Sequence, residues 1–153
     1  MNFFVSWMKK ISWGKVLMIG VIFTVISFVI RQAEMLLTLK YYMMPQYFGV
    51  WSKLMMPVAG PPPLSFTITS LIFTFVTGIS ITLIYYYLRD HLPPLGFKRV
   101  YYFADVLMAT YFVFFFLTAY LLFNLPLALL ISWFISTFVI VTAGSWVIVK
   151  IIK

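Results

Sequence analysis

The sequence predicts an all-α fold: a polytopic four-helix transmembrane bundle forming one domain over residues 1–153, with N and C termini cytoplasmic and a Pro-rich outer loop. Three observations lead there. Hydrophobic residues make up 64% of the chain and charged residues 9%, far from the balance of a water-soluble domain. The apolar residues gather into separate runs, each about the 20 residues that a helix needs to cross roughly 30 Å of hydrocarbon. The lysines and arginines stand at the ends of those runs, mostly on one side.

The chain opens with an amphipathic leader over residues 1–13, where Phe3, Phe4, Trp7 and Met8 precede Lys9 and Lys10. Such a segment lies along a membrane surface, with its basic residues meeting anionic lipid. Transmembrane helices are expected at residues 16–38, 64–88, 100–123 and 127–149. Strands are excluded, because membrane strands run about 10 residues with alternating polarity and these runs are longer and do not alternate. Lys9, Lys10, Lys15, Arg89, Lys98, Arg99, Lys150 and Lys153 share one side, against Lys40 and Lys53 on the other, which places both termini inside. The expected location is the inner (plasma) membrane of a prokaryote.

The connections are unequal. Around Asn124, Leu125 and Pro126 the third and fourth helices are so close in sequence that they must be antiparallel neighbours. Asn124 suits the cap of the fourth helix and Pro126 its first turn. Residues 40–63 form the one long outer loop, with Met43-Met44-Pro45, Met55-Met56-Pro57 and the stiff run Gly60-Pro61-Pro62-Pro63 leading into the second helix.

Polar residues inside the spans carry the functional information. Gly20, Thr24, Ser27, Arg31, Glu34 and Thr38 recur at spacings of three and four, one face of the first helix. Thr67, Ser70, Thr74 and Thr77, with Gly78, form a similar stripe on the second. Small and hydroxyl residues let membrane helices approach and bond, so the two stripes are expected to face each other, Arg31 near Ser70 and Ser27 near Thr74. Arg31 and Glu34, at i and i+3, are expected to neutralise each other. With Ser27 and Ser70 they form the candidate intramembrane polar site. Asp105, near the inner end of the third helix, is a second candidate carboxylate, expected to pair with Arg89, Lys15 or Arg99.

Other chemistry is scarce. Cysteine is absent, which removes thiolate metal sites and thiol catalysis. One histidine, His91, cannot build an ordinary zinc or bis-histidine haem site, and neither a nucleophile elbow nor a Gly-rich phosphate loop is present. No cofactor is therefore expected, and no catalysis. Met43, Met44, Met55 and Met56 offer soft thioethers to Cu(I) as a weak metal alternative, against the use of Met as flexible filler. The formal charge of +8 is scattered, so nucleic acid is not an expected partner. The expectation is a non-enzymatic accessory, scaffolding or assembly subunit whose partners are membrane lipid and other transmembrane subunits or itself. Its alternative is a small homo-oligomeric transporter or channel built on the Arg31 and Glu34 stripe.

Overall fold

The computed structural model describes residues 11–58 and 61–152. Residues 1–10 of the expected leader and Gly60 of the Pro-rich run lie outside the described residues. Those described are helical, without strands: α1 (Trp13–Tyr42), α2 (Leu64–Leu88), α3 (Phe97–Leu122) and α4 (Leu127–Ile151). Each is long and apolar enough to cross a membrane. Short 3-10 turns occupy Pro45–Val50 and Arg89–His91 in the connections.

The ends of the helices follow local chemistry. α1 continues past residue 38 because nothing breaks it until Pro45, which holds Met44 in an extended conformation, φ −74° and ψ 121°. α3 starts earlier than expected, at Phe97, directly after Gly96, whose φ of 136° suits glycine alone. Asn124 does not cap α4. Pro126 holds that position, and its carbonyl accepts the amides of Leu129 and Leu130 at 2.9 and 3.3 Å.

Within α3 the residues Phe112–Phe116 form a π turn, which the periodicity of an unbroken aromatic run does not announce. In a plain α-helix a row of residues four apart drifts around the axis by about 40° per step. The wider turn cancels part of that drift. Leu107, Tyr111, Phe115, Ala119 and Phe123 consequently stay along one side of the helix.

α2 packs on α1, α1 on α4, and α4 on α3. Two central helices, α1 and α4, thus carry one flanking helix each. The expected approach of α1 to α2 occurs, within one turn of the expected register, but its contact point is glycine and not hydroxyl. A Cβ on Gly78 would lie 3.1 Å from the Gly20 backbone and 2.9 Å from the Phe23 Cβ. On the other side, a Cβ on Gly144 of α4 would come to 2.7 Å from the Phe23 ring. Phe23 is a wedge between two glycines, and it sets the spacing of α2, α1 and α4.

At the end that carries the termini, all four helices close on one core. Val16, Ile19, Tyr85, Tyr86, Val100, Phe103, Ile148 and Val149 are buried there. Tyr85 and Phe103 meet edge to face at 5.2 Å, which joins the flanking helices α2 and α3. Arg99 ties the loop between them, donating from Nε to the Pro93 carbonyl at 2.6 Å and from Nη1 to the Tyr85 hydroxyl at 3.3 Å. The Ser12 amide donates to the Tyr86 hydroxyl and Lys15 to the Ile151 carbonyl, so the polar tips of this core are bonded.

The wedge makes a testable contrast between glycines. Gly144→Ala drives a methyl into the Phe23 ring and is expected to cost about 1–3 kcal/mol. Gly14→Ala meets open space and is expected to stay within about 1 kcal/mol of wild type, on the stabilising side. Thermal unfolding midpoints in detergent, compared for the two variants, check both.

Candidate functional site

Away from the closed end, α2 and α3 separate. Between them lies a cavity of about 870 Å³ that opens sideways and has α1 and α4 as its floor. Its walls are mixed. Ser70, Thr74 and Thr77 come from α2, Leu107, Thr110, Tyr111 and Phe115 from α3, and Ser27, Arg31, Glu34, Trp133 and Thr137 from the floor. Val50, Trp51, Met55 and Pro62 of the long loop reach over its far end.

Three of the hydroxyls on the two walls are occupied by their own helices. Thr74 donates to the Ser70 carbonyl at 2.7 Å, Thr77 to Phe73 at 2.8 Å, and Thr110 to Val106 at 2.9 Å. Such back-bonding satisfies a hydroxyl in apolar surroundings while leaving its oxygen able to accept. The α2 stripe therefore faces the cleft and does not bond to the α1 stripe, contrary to the matched-stripe expectation.

α1 finds its polar partners on α4 instead. Arg31 donates from Nη1 to the Ser136 Oγ at 2.8 Å and from Nη2 to the Thr137 Oγ1 at 2.7 Å. Ser136 donates its own hydrogen bond to the Trp133 carbonyl at 3.1 Å, which turns its lone pairs toward the guanidinium. Glu34 is 7% exposed. Its Oε1 accepts from Ser132 Oγ at 2.9 Å and from Thr38 Oγ1 at 2.9 Å, the latter hydroxyl also bonding the Glu34 carbonyl at 2.8 Å.

Arg31 and Glu34 do not form the expected direct ion pair. Each is drawn to its own hydroxyl shelf on α4, Ser136 and Thr137 for the cation, Ser132 for the carboxylate. The physical reason is position: Ser132 and Ser136 are one turn apart on α4, as Arg31 and Glu34 are on α1, so each charge meets a hydroxyl directly opposite. A lone Arg at mid-span costs about 2.5–3.5 kcal/mol. Hydrogen bonds to a charged group return about 1.5–3 kcal/mol apiece, so two neutral acceptors are enough to hold it without a counter-charge. The Tyr111 hydroxyl also stands within reach of Arg31 and Thr137, and both charged side chains line the cleft.

Two further polar atoms in the cleft are buried and unpartnered: Ser27 Oγ, on a residue 5% exposed, and Trp51 Nε1. Trp51 stacks on Tyr42 with ring centres 4.9 Å apart and leans on Trp133 at 6.3 Å. Trp133 donates to the Tyr42 hydroxyl at 2.8 Å and lies 6.4 Å from Phe115. These four rings make an aromatic cover over the far end of the cleft, supplied by α1, the loop, α4 and α3.

Of the predicted site residues, Ser27, Arg31, Glu34 and Ser70 all line this one cleft. Asp105 does not. It is exposed on α3 on the side away from the cleft, and its expected cations bond elsewhere: Arg89 with Asp90 at 3.7 Å, Arg99 with Pro93 and Tyr85, Lys15 with Ile151. The four methionines differ in setting, Met43 exposed, Met56 buried, Met44 and Met55 between. No cluster of His, Asp or Glu suited to a metal occurs among the described residues. Ser132, Ser136 and Thr137 are the partners of the two charged side chains that the sequence did not single out. Their signal was the same four-residue spacing that marked α1.

Replacing Ser136 by Ala together with Thr137 by Val strips both acceptors from Arg31. The double variant is expected to lose about 1–3 kcal/mol of stability. Adding Arg31→Leu is expected to restore most of it, because removing every partner of a buried charge is far cheaper than orphaning one. Thermal unfolding of the three proteins in one detergent measures the difference. No family model matches the chain, and neither curated proteins nor solved structures provide a similar one, so the cleft's own chemistry must carry the functional argument.

Proposed function

We propose that this is an integral membrane protein, both termini cytoplasmic, that takes an amphiphile with an anionic phosphate or carboxylate head from the bilayer into its lateral cleft and carries it there as a small transporter. The observation behind this is Arg31. A guanidinium without a carboxylate on it, deep among apolar helices, faces a cavity large enough for part of a lipid. Ligand sites of this size are characteristically apolar with a few placed polar groups. Three donors line the cleft, Arg31, Ser27 and Trp51 Nε1, the last two buried without a partner. Such donors suit an acceptor-rich anion, and a guanidinium suits a two-oxygen face best of all.

The sideways opening supports a ligand that arrives from lipid, and the aromatic cover at the loop end supports a site screened from water on that side. Since one chain supplies the whole cleft, the transporter reading does not need a homo-oligomer. An accessory-subunit role is favoured by a different observation, the carboxylate of Asp105 exposed within a span-length helix, where a cation on a neighbouring chain would meet it.

Lipid extraction separates the two. Wild-type protein, exchanged into mild detergent and analysed by mass spectrometry, is expected to retain an amphiphile bearing a phosphate or carboxylate in near-stoichiometric amount. Arg31→Gln, which keeps a polar donor on a shorter side chain and removes the charge, is expected to retain at least about tenfold less, since hydrogen bonds to a charged group are worth about 1.5–3 kcal/mol each. Equal retention by both proteins, or none by either, would sink the carrier reading. A second transmembrane chain recovered in place of lipid, and lost on Asp105→Asn, would favour the accessory role.

Orientation has its own check, because the chain lacks cysteine. Lys53→Cys in the long loop is expected to react with a membrane-impermeant maleimide in intact cells, and His91→Cys only after the cells are opened. The reverse pattern would invert the topology.

A further inference from the structure

Glu34 is difficult to reconcile with a purely anionic ligand. Its carboxylate lines the same cleft as Arg31, one helical turn away, and the two side chains do not neutralise each other. An anion seated on Arg31 would stand close to a second negative charge in surroundings that screen poorly. Ser132 and Thr38 both bond Oε1, which holds the carboxylate at the wall of the cleft and leaves Oε2 without a hydrogen bond to the described residues. On the other side, Ser136 and Thr137 fix Arg31 in the same manner. Two opposite charges are therefore held apart by four hydroxyls, although their Cβ atoms are only about 5–6 Å apart at this spacing.

Building on the carrier reading above, we propose that the cleft recognises a zwitterionic head: an anionic oxygen pair on Arg31 and a primary ammonium on Glu34, carried by an apolar tail. The ligand class is an amino-phospholipid or another amphiphile with phosphate and amine a short link apart. An ammonium brings three donors. Glu34 Oε2 takes one, and the back-bonded hydroxyl of Thr74 and the hydroxyl of Ser70 on α2 offer acceptor lone pairs along the same cleft. Ser27 Oγ, buried beyond Arg31 and without a partner, supplies a donor to the anionic end. The tail leaves between α2 and α3, against Phe66, Leu107 and Phe115. Binding in this mode satisfies both charges at once, which neither a simple anion nor a simple cation does.

The test uses the full chain in phosphatidylcholine nanodiscs doped with either phosphatidylethanolamine or phosphatidylglycerol, with bound lipid counted by native mass spectrometry. Wild type is expected to retain phosphatidylethanolamine at least about tenfold over phosphatidylglycerol and over the phosphatidylcholine host, whose quaternary nitrogen cannot donate. Glu34→Gln keeps its length and its bonds to Thr38 and Ser132. It is expected to lose that preference while still retaining phosphatidylglycerol, and Arg31→Gln is expected to lose both lipids. A preference unchanged in Glu34→Gln, or a wild type that favours phosphatidylglycerol, overturns the zwitterion proposal and leaves the carrier reading standing. Loss of neither lipid in Arg31→Gln overturns both. Free phosphoethanolamine is the soluble probe, and it is expected not to displace the lipid. Displacement would assign the head to a water-borne ligand and overturn the requirement for a tail. Tryptophan fluorescence, measured on proteins with Trp7, Trp13 and Trp146 replaced by Phe and quenched by lipids brominated on the acyl chain, reports through Trp51 and Trp133 whether each variant keeps its aromatic cover, so a misfolded variant is recognised before its lipids are counted.

Discussion

A guanidinium in the middle of an apolar helix has to be held by something, and here α4 holds it. The bonds from Arg31 to Ser136 and Thr137 decide which helices are central. They tie α1 to α4 at mid-length, while Phe23 between Gly78 and Gly144 ties α1 to both neighbours about two turns away. With the mid-length polar contact spent between the central pair, the side-chain hydrogen bond between α2 and α3 lies at the closed end, where Arg99 reaches the Tyr85 hydroxyl. They meet at Tyr85 and Phe103 and part beyond. The cleft is what remains when a four-helix assembly puts its strongest interaction off the flanking helices.

The same interaction leaves the charges of Arg31 and Glu34 available. A direct pair at i and i+3 would have been self-contained and would have closed the floor of the cleft. Hydroxyl support is weaker per bond than a carboxylate, but it keeps each group oriented without cancelling it. Buried ion pairs are often replaceable by apolar residues at little cost. Two charges kept apart are harder to explain by stability alone, and that points toward a ligand.

Much of this was visible in the sequence, and the part that was not has identifiable causes. Run lengths located the four helices because hydrocarbon thickness imposes a length that few other constraints do. The α1 stripe was legible because polar residues are scarce enough in such a helix for their period to stand out. Its partner was misassigned. The α2 hydroxyls satisfy themselves on their own backbone, and a sequence does not distinguish a hydroxyl bonded across an interface from one bonded back four residues. Ser132, Ser136 and Thr137 carried the same spacing as the α1 stripe, and antiparallel register alone could not rank α4 above α2. The π turn at Phe112–Phe116 sits in a run where every residue is apolar, so no periodic signal exists to be shifted.

The sideways opening of the cleft changes what its occupancy responds to. A pocket facing water fills according to the concentration of a solute. One that opens between α2 and α3 at the level of acyl chains fills according to the mole fraction of its ligand among the lipids next to it, and every neighbouring lipid is a competitor. In the proposed carrier reading, selectivity at Arg31 and Glu34 must then be achieved against a solvent made of near-relatives of the ligand. On that reading, any shift in the composition of the surrounding leaflet becomes a direct control on the protein, with no soluble effector needed.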